Sequence, residues 1–149
     1  MGSEMCIRDR GSNDNTGESY VVFGNNSGFS ASFDLSDLDG SNGFVLNGID
    51  SMDRSGLSVS NAGDVNGDGI DDIIIGARYG DPNGNSSAGE SYVVFGSSSG
   101  FSASFDLSDL DGSNGFVLNG IDNSDSSGCL LYTSPSPRDL STSRMPSSA

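Results

Sequence analysis

The chain has no His, Lys or Trp, and its 149 residues include only two Cys and four Pro. Without imidazole or ammonium groups, and with thiols this scarce, most acid–base and nucleophilic catalytic groupings cannot be assembled. No enzyme is expected. Positive charge is also short: six cations, all Arg, stand against 21 Asp and Glu, for a net charge of −15. So acidic a chain is unsuited to nucleic-acid phosphates or to an anionic membrane surface. No apolar run approaches the roughly 20 residues of a membrane-spanning helix, so no membrane span is expected. Leu, Ile, Val and Phe together number 33, just above the level at which strong charge goes with disorder. What is abundant is Gly, at 22 residues.

The glycines recur in register. Gly17–Gly56 and Gly89–Gly128 match at 35 of 40 positions, a repeat with a period of 72, and the mismatches are confined to positions 25, 26, 51, 52 and 54. A repeat of this size is one supersecondary unit that buries its faces against neighbouring copies. Within one period the strand signals are short and punctuated by Gly: Leu57–Ser60, Ile73–Ile75, Tyr92–Phe95 and Phe116–Leu118. Turn formers such as Asn83-Gly84-Asn85 lie between them. No helical period is sustained. Four short strands, some apolar on both faces, suit a sheet covered on both sides, as in a radially packed propeller blade.

The two ends differ from this middle. Met1–Arg10 can be back-translated so that the reverse complement of the same DNA, in a shifted frame, encodes Cys129–Pro137, nine residues in register. That DNA resembles a transposon-end adapter of sequencing libraries. Residues 1–10 and 129–149 are therefore expected to be adapter-derived and are set aside from fold reasoning. Both Cys fall in these segments, so no redox compartment is read from them. The remaining 118 residues hold 18 acids and two Arg. The parent gene is expected to continue past both junctions.

One loop carries recognisable chemistry. DVNGDGIDD runs from Asp64 to Asp72, with oxygen-bearing side chains at loop positions 1, 3, 5 and 9: Asp64, Asn66, Asp68 and Asp72. Gly69 at position 6 permits a sharp turn that lets the Ile70 carbonyl face inward. Calcium takes six to eight oxygens at about 2.3–2.6 Å, which short alternating carboxylates on a tight turn supply. Magnesium keeps more water and demands a stricter octahedron, and zinc would want thiolate or imidazole. The expected cofactor is Ca²⁺. An EF-hand or dockerin-type loop would place an acid at position 12, where this chain has Ile75.

GDVNGDGIDDIIIGA at Gly63–Ala77, followed by GESYVVFGSSSGF, resembles the FG-GAP repeat of integrin α-chain β-propellers and their bacterial relatives. The resemblance covers essentially all of residues 11–128. It implies an all-β fragment of a β-propeller, about one and a half four-stranded antiparallel blades. Residues 11–56 would be a partial blade contributing its last two strands and a link. Residues 57–128 would be one blade with the calcium loop. By the same resemblance Asp64, Asn66, Asp68, the Ile70 carbonyl and Asp72 are the metal ligands. Two departures from the family pattern stand out: Ser55-Gly56 where Phe-Gly is frequent, and Ala77-Arg78 where Ala-Pro is common.

The function implied is a non-catalytic, calcium-binding propeller segment of a secreted or cell-surface protein, serving adhesion or ligand recognition. Its partners would be a protein or glycan ligand of the parent propeller and the neighbouring blades. The alternative is an accessory propeller of a secreted hydrolase or phospholipase. Four further features have plain readings. Asp37, Asp39 and Asn42, repeated as Asp109, Asp111 and Asn114, are expected to form turns more readily than a second cation site. Asp71-Asp72 is not read as an acid–base pair. Tyr20 and Tyr92 are read as packing residues, and Arg78 as a surface charge among acids.

Overall fold

The computed structural model describes residues 15–129 and the backbone of residues 5–9. It is an all-β fold, a partial β-propeller of two four-stranded sheets, with no α-helix among the described residues. The strands are β1 (Met5–Asp9), β2 (Glu18–Val22), β3 (Gly43–Asn47), β4 (Ser55–Gly63), β5 (Asp72–Ala77), β6 (Glu90–Val94), β7 (Ser104–Asp106) and β8 (Gly115–Asn119). The second sheet, in the order β4-β5-β6-β8, is antiparallel throughout and is the complete blade expected from one period. The first, in the order β1-β2-β3-β7, contains the two strands expected from the partial blade.

β1 pairs antiparallel with β2, from Met5 opposite Val22 to Asp9 opposite Glu18. It lies in the segment assigned to adapter sequence. Its pairing does not bear on that assignment, because any extended backbone can add to an open sheet edge. The rest of the two expected adapter segments, residues 1–4, 10 and 130–149, lies outside the described residues, as do residues 11–14.

Sequence reasoning missed β7. Ser104-Phe105-Asp106 comes from the second repeat but crosses to the first sheet and runs parallel to β3, with Val45 opposite Ser104 and Asn47 opposite Asp106. Asn47 Nδ2 donates to Ser104 Oγ at 2.8 Å and to Asp106 Oδ1 at 2.7 Å. Three residues with one hydrophobe are too short for an alternation signal, so the sequence pattern reads as loop.

The sheets pack face to face. Val21, Phe44 and Leu46 from the first sheet meet Ile75, Ala77, Tyr92 and Val94 from the second, with Leu107 beside them. Phe101 stacks on Phe44 with ring centroids 4.0 Å apart. This explains the apolar run Ile73–Ile75: Ile73 and Ile75 turn towards the neighbouring sheet, while Ile74 pairs with Val93 on the opposite face. An open cleft of about 250 Å³ remains at one end of the seam, lined by Phe23, Phe44, Ile70, Ile73, Val94 and Phe101 among others.

Both departures from the family pattern have structural consequences. Ser55 is buried, and its side chain lies close to Gly48, where an added Cβ would sit 2.8 Å from the Ser55 Cβ. The Arg78 guanidinium lies over the Tyr79 ring at 5.2 Å, and Arg54 lies over the same ring at 4.8 Å. Arg78 is half-buried, its guanidinium held against an aromatic ring.

Candidate metal centre

The Asp64–Asp72 loop joins β4 to β5 at the edge of the complete blade. Its fold is dictated by Asp64. Oδ1 accepts the Gly67 and Asp68 amides at 2.7 and 2.9 Å, and Oδ2 accepts the Gly69 amide at 2.9 Å. Drawing three successive amides onto one carboxylate requires left-handed backbone at Gly67 (φ +82°) and Gly69 (φ +86°), where glycine carries no steric penalty. Asn66 and Asp68 then come side by side, with Asn66 Nδ2 donating to Asp68 Oδ2 at 3.0 Å. Asn66 Oδ1 accepts the Asp68 amide, and Asp68 Oδ1 accepts the Ile70 amide.

Asp72 is placed differently. It is 1% exposed, at the start of β5, and both its oxygens are engaged. Oδ2 accepts the Val65 amide at 2.7 Å, and Oδ1 accepts the Gly96 amide just beyond β6 at 2.8 Å. Thus Asp64, Asn66 and Asp68 are gathered at the exposed tip, while Asp72 ties the loop base to the sheet. Among the described residues no group of three or more His, Cys, Asp or Glu side chains is gathered as a metal would hold them. The donors fit calcium in kind, being carboxylate, carboxamide and carbonyl oxygens. Each carboxylate oxygen that accepts one amide also keeps a second lone pair for a cation.

A four-stranded antiparallel sheet with an acidic hairpin loop between its first two strands defines a propeller-type blade. Residues 55–94, which span β4 to β6, match the FG-GAP repeat. No curated protein matches the chain significantly. No helix among the described residues is long and apolar enough to cross a membrane.

The remaining acids divide into turns and one buried group. Asp39 Oδ1 accepts the Ser41 hydroxyl and the Ser41 and Asn42 amides, while Asn42 Nδ2 donates to the Asp37 carbonyl. Asp111, Ser113, Asn114 and Asp109 repeat this arrangement. The serine hydroxyls hold the Asp39 and Asp111 carboxyls below the usual carboxylate range. These are turns, as expected. In the Asp71-Asp72 pair, Asp71 Oδ2 accepts from Asn61 Nδ2 at 3.3 Å, and Asp72 serves backbone amides. Tyr92 is buried, as a packing residue should be, and its hydroxyl donates to Glu90. Burial, reinforced by the Glu90 carboxylate, pushes the phenol upward.

Asp53 was not singled out from the sequence. It lies in the link before β4, is 5% exposed, and has its pKa pushed up to about 6 by burial and by the charges of Glu90, Asp50 and Asp81. The folded state therefore binds this proton more tightly than the unfolded chain. The stability it contributes is fully present below the unfolded pKa near 3.8 and is lost as pH rises through 6. Asp53→Asn should raise stability at pH 7 by about 1–3 kcal/mol, with the gain shrinking to nothing near pH 4. Urea denaturation at the two pH values checks this; equal effects at both would refute it.

Proposed function

We propose that this chain is a non-catalytic, calcium-binding propeller segment of a secreted or cell-surface protein, and that calcium stiffens the blade edge. The observation that carries the reading is the loop tip: Asp64 wraps three amides and brings Asn66 and Asp68 together. That wrapping reduces the ordering cost of presenting several hard oxygens to one cation. Asp64, Asn66 and Asp68 would hold the ion, joined by the Ile70 carbonyl and by the remaining lone pairs of Asp72. The three carboxylates of the ligand set against a dication leave the filled site near −1, far less self-repelling than the bare site. Extracellular calcium modules bind at about 10⁻⁴–10⁻³ M, and a loop this exposed suits that range. A stiffened blade edge serves recognition of a protein or glycan ligand by the parent propeller, as in adhesion.

Calcium at about 100 times its dissociation constant should stabilise the fold by about 2.7 kcal/mol, a rise of roughly 10 °C in Tm for a domain of this size. Asp68→Ala should abolish that rise while changing the calcium-free melting temperature little, because Asp68 is exposed. Differential scanning calorimetry with calcium and with chelator decides it. A melting temperature indifferent to calcium up to about 100 mM, which is 100 times the weakest dissociation constant of that range, would remove the metal from the reading.

A further inference from the structure

The two repeats present complementary halves of one interface. Inside the chain, the core-facing side and free edge of β3 are covered by the second repeat: the second sheet packs over Phe44 and Leu46, Phe101 stacks on Phe44, Phe105 packs against the core, and Ser104–Asp106 runs parallel to β3. Between the second sheet and this segment Phe44 and Leu46 are 0% exposed. The equivalent strand 72 residues later, β8, has the identical sequence GFVLN, yet Leu118 is 48% exposed. Its outer edge has no neighbour among the described strands. The segment that would cover it is also present and unused. Ser32-Phe33-Asp34 is identical to β7, forms no strand, and leaves Phe33 exposed together with Phe29, which is 57% exposed.

We propose that β8 of one molecule takes Ser32–Asp34 of a second copy as a parallel strand, so that the chain assembles head to tail. Register follows from the internal interface: Val117 opposite Ser32, Leu118 opposite Phe33 and Asn119 opposite Asp34. Asn119 Nδ2 then donates to Ser32 Oγ and Asp34 Oδ1, as Asn47 does to Ser104 and Asp106. Phe29, which packs edge-on to Phe33 within one chain, moves onto Phe116 as Phe101 sits on Phe44. The segment is already shaped for the role. Asp34 has φ −87° and ψ 127° against −91° and 130° at Asp106, and both are followed by the same 3-10 turn. Little backbone entropy is therefore lost on pairing. The contact is heterologous, so each added copy leaves one half open until a ring closes.

Sedimentation velocity on the full chain tests this. Wild type should show dimers and larger species that grow with concentration, and more so in added salt, which screens the charge of −15 on each copy. Leu118→Glu and Phe29→Glu, both at exposed positions, should each remain monomeric with unchanged circular dichroism. Mixed together they should form a dimer and nothing larger, since one intact half remains on each partner. Asn119→Ala replaces Leu118→Glu should that variant lose its sheet signal. A wild type that is monomeric at every concentration overturns the proposal. So does a mixture that stays monomeric or grows beyond the dimer.

Discussion

Gly89→Ala is expected to be among the most damaging single substitutions in the described residues, costing about 3–5 kcal/mol. Gly89 immediately precedes β6 with φ +83°, in the left-handed region, where a Cβ costs about 1–2 kcal/mol. That Cβ would also lie 2.1 Å from the Ser127 carbonyl oxygen and 2.4 Å from the Ser127 nitrogen. Both are backbone atoms of the link that leaves the blade, so no side chain can swing aside. Relief requires parting the link from the sheet, against the Ser127 amide bond to the Ala88 carbonyl at 2.8 Å and the Gly120 amide bond to the Gly89 carbonyl at 2.8 Å. Each such bond contributes about 1 kcal/mol net. Small domains carry only about 5–15 kcal/mol in total, so most of the margin disappears. Gly100→Ala is the control: φ is +85°, but nothing lies within 4 Å of the added Cβ, leaving the backbone strain alone. Urea denaturation of the pair should show Gly89→Ala losing at least twice as much as Gly100→Ala. Equal losses would mean that the close approach to Ser127 has no energetic weight.

That tight approach is why the repeat was legible. Gly17 meets the Ser55 backbone just as Gly89 meets that of Ser127, so the 72-residue period repeats one local geometry. The strands of the complete blade were equally readable, because Tyr92–Val94 are buried, Ile75 is buried with Ile73 and Ile74 half-buried beside it, and both runs are apolar in consequence. β7 was hidden because its pairing is set by the neighbouring sheet and by Asn47, both far away in sequence. The buried carboxyl of Asp53 was hidden for the same reason: Asp81 and Glu90, two of the charges that disturb it, come from distant positions. At the loop, spacing alone identified Asp64, Asn66 and Asp68 as neighbours, because a tight turn makes proximity a local property. It treated Asp72 as one more member of that set. The structure also gives Asp72 two backbone amides and almost no solvent, which no spacing rule encodes.

Substitution of Asp72 follows from that difference, and Asp72→Asn is the conservative test of it. The carboxamide has the same shape, but one oxygen becomes an NH₂ facing an amide donor, either Val65 or Gly96. One hydrogen bond is lost and two buried donors oppose each other, a cost of about 1–3 kcal/mol. Asp72→Ala removes both acceptors and should cost more, about 2–4 kcal/mol, since two part-buried amides lose their partner and a void opens. Either change frees the loop base from β6, so hydrogen exchange at the Val65 and Gly96 amides should accelerate ahead of exchange in the middle of β5. Calcium separates the two roles of this residue. If Asp72 only anchors the loop, Asp72→Asn lowers stability equally with calcium and with chelator. If its remaining lone pairs also reach the ion, the calcium-dependent gain shrinks as well, and the loss is larger in calcium. Asp68→Ala, at the exposed tip, should alter the calcium-dependent gain alone. A variant Asp72→Asn as stable as wild type in chelator would show that its two amide bonds do not hold the loop.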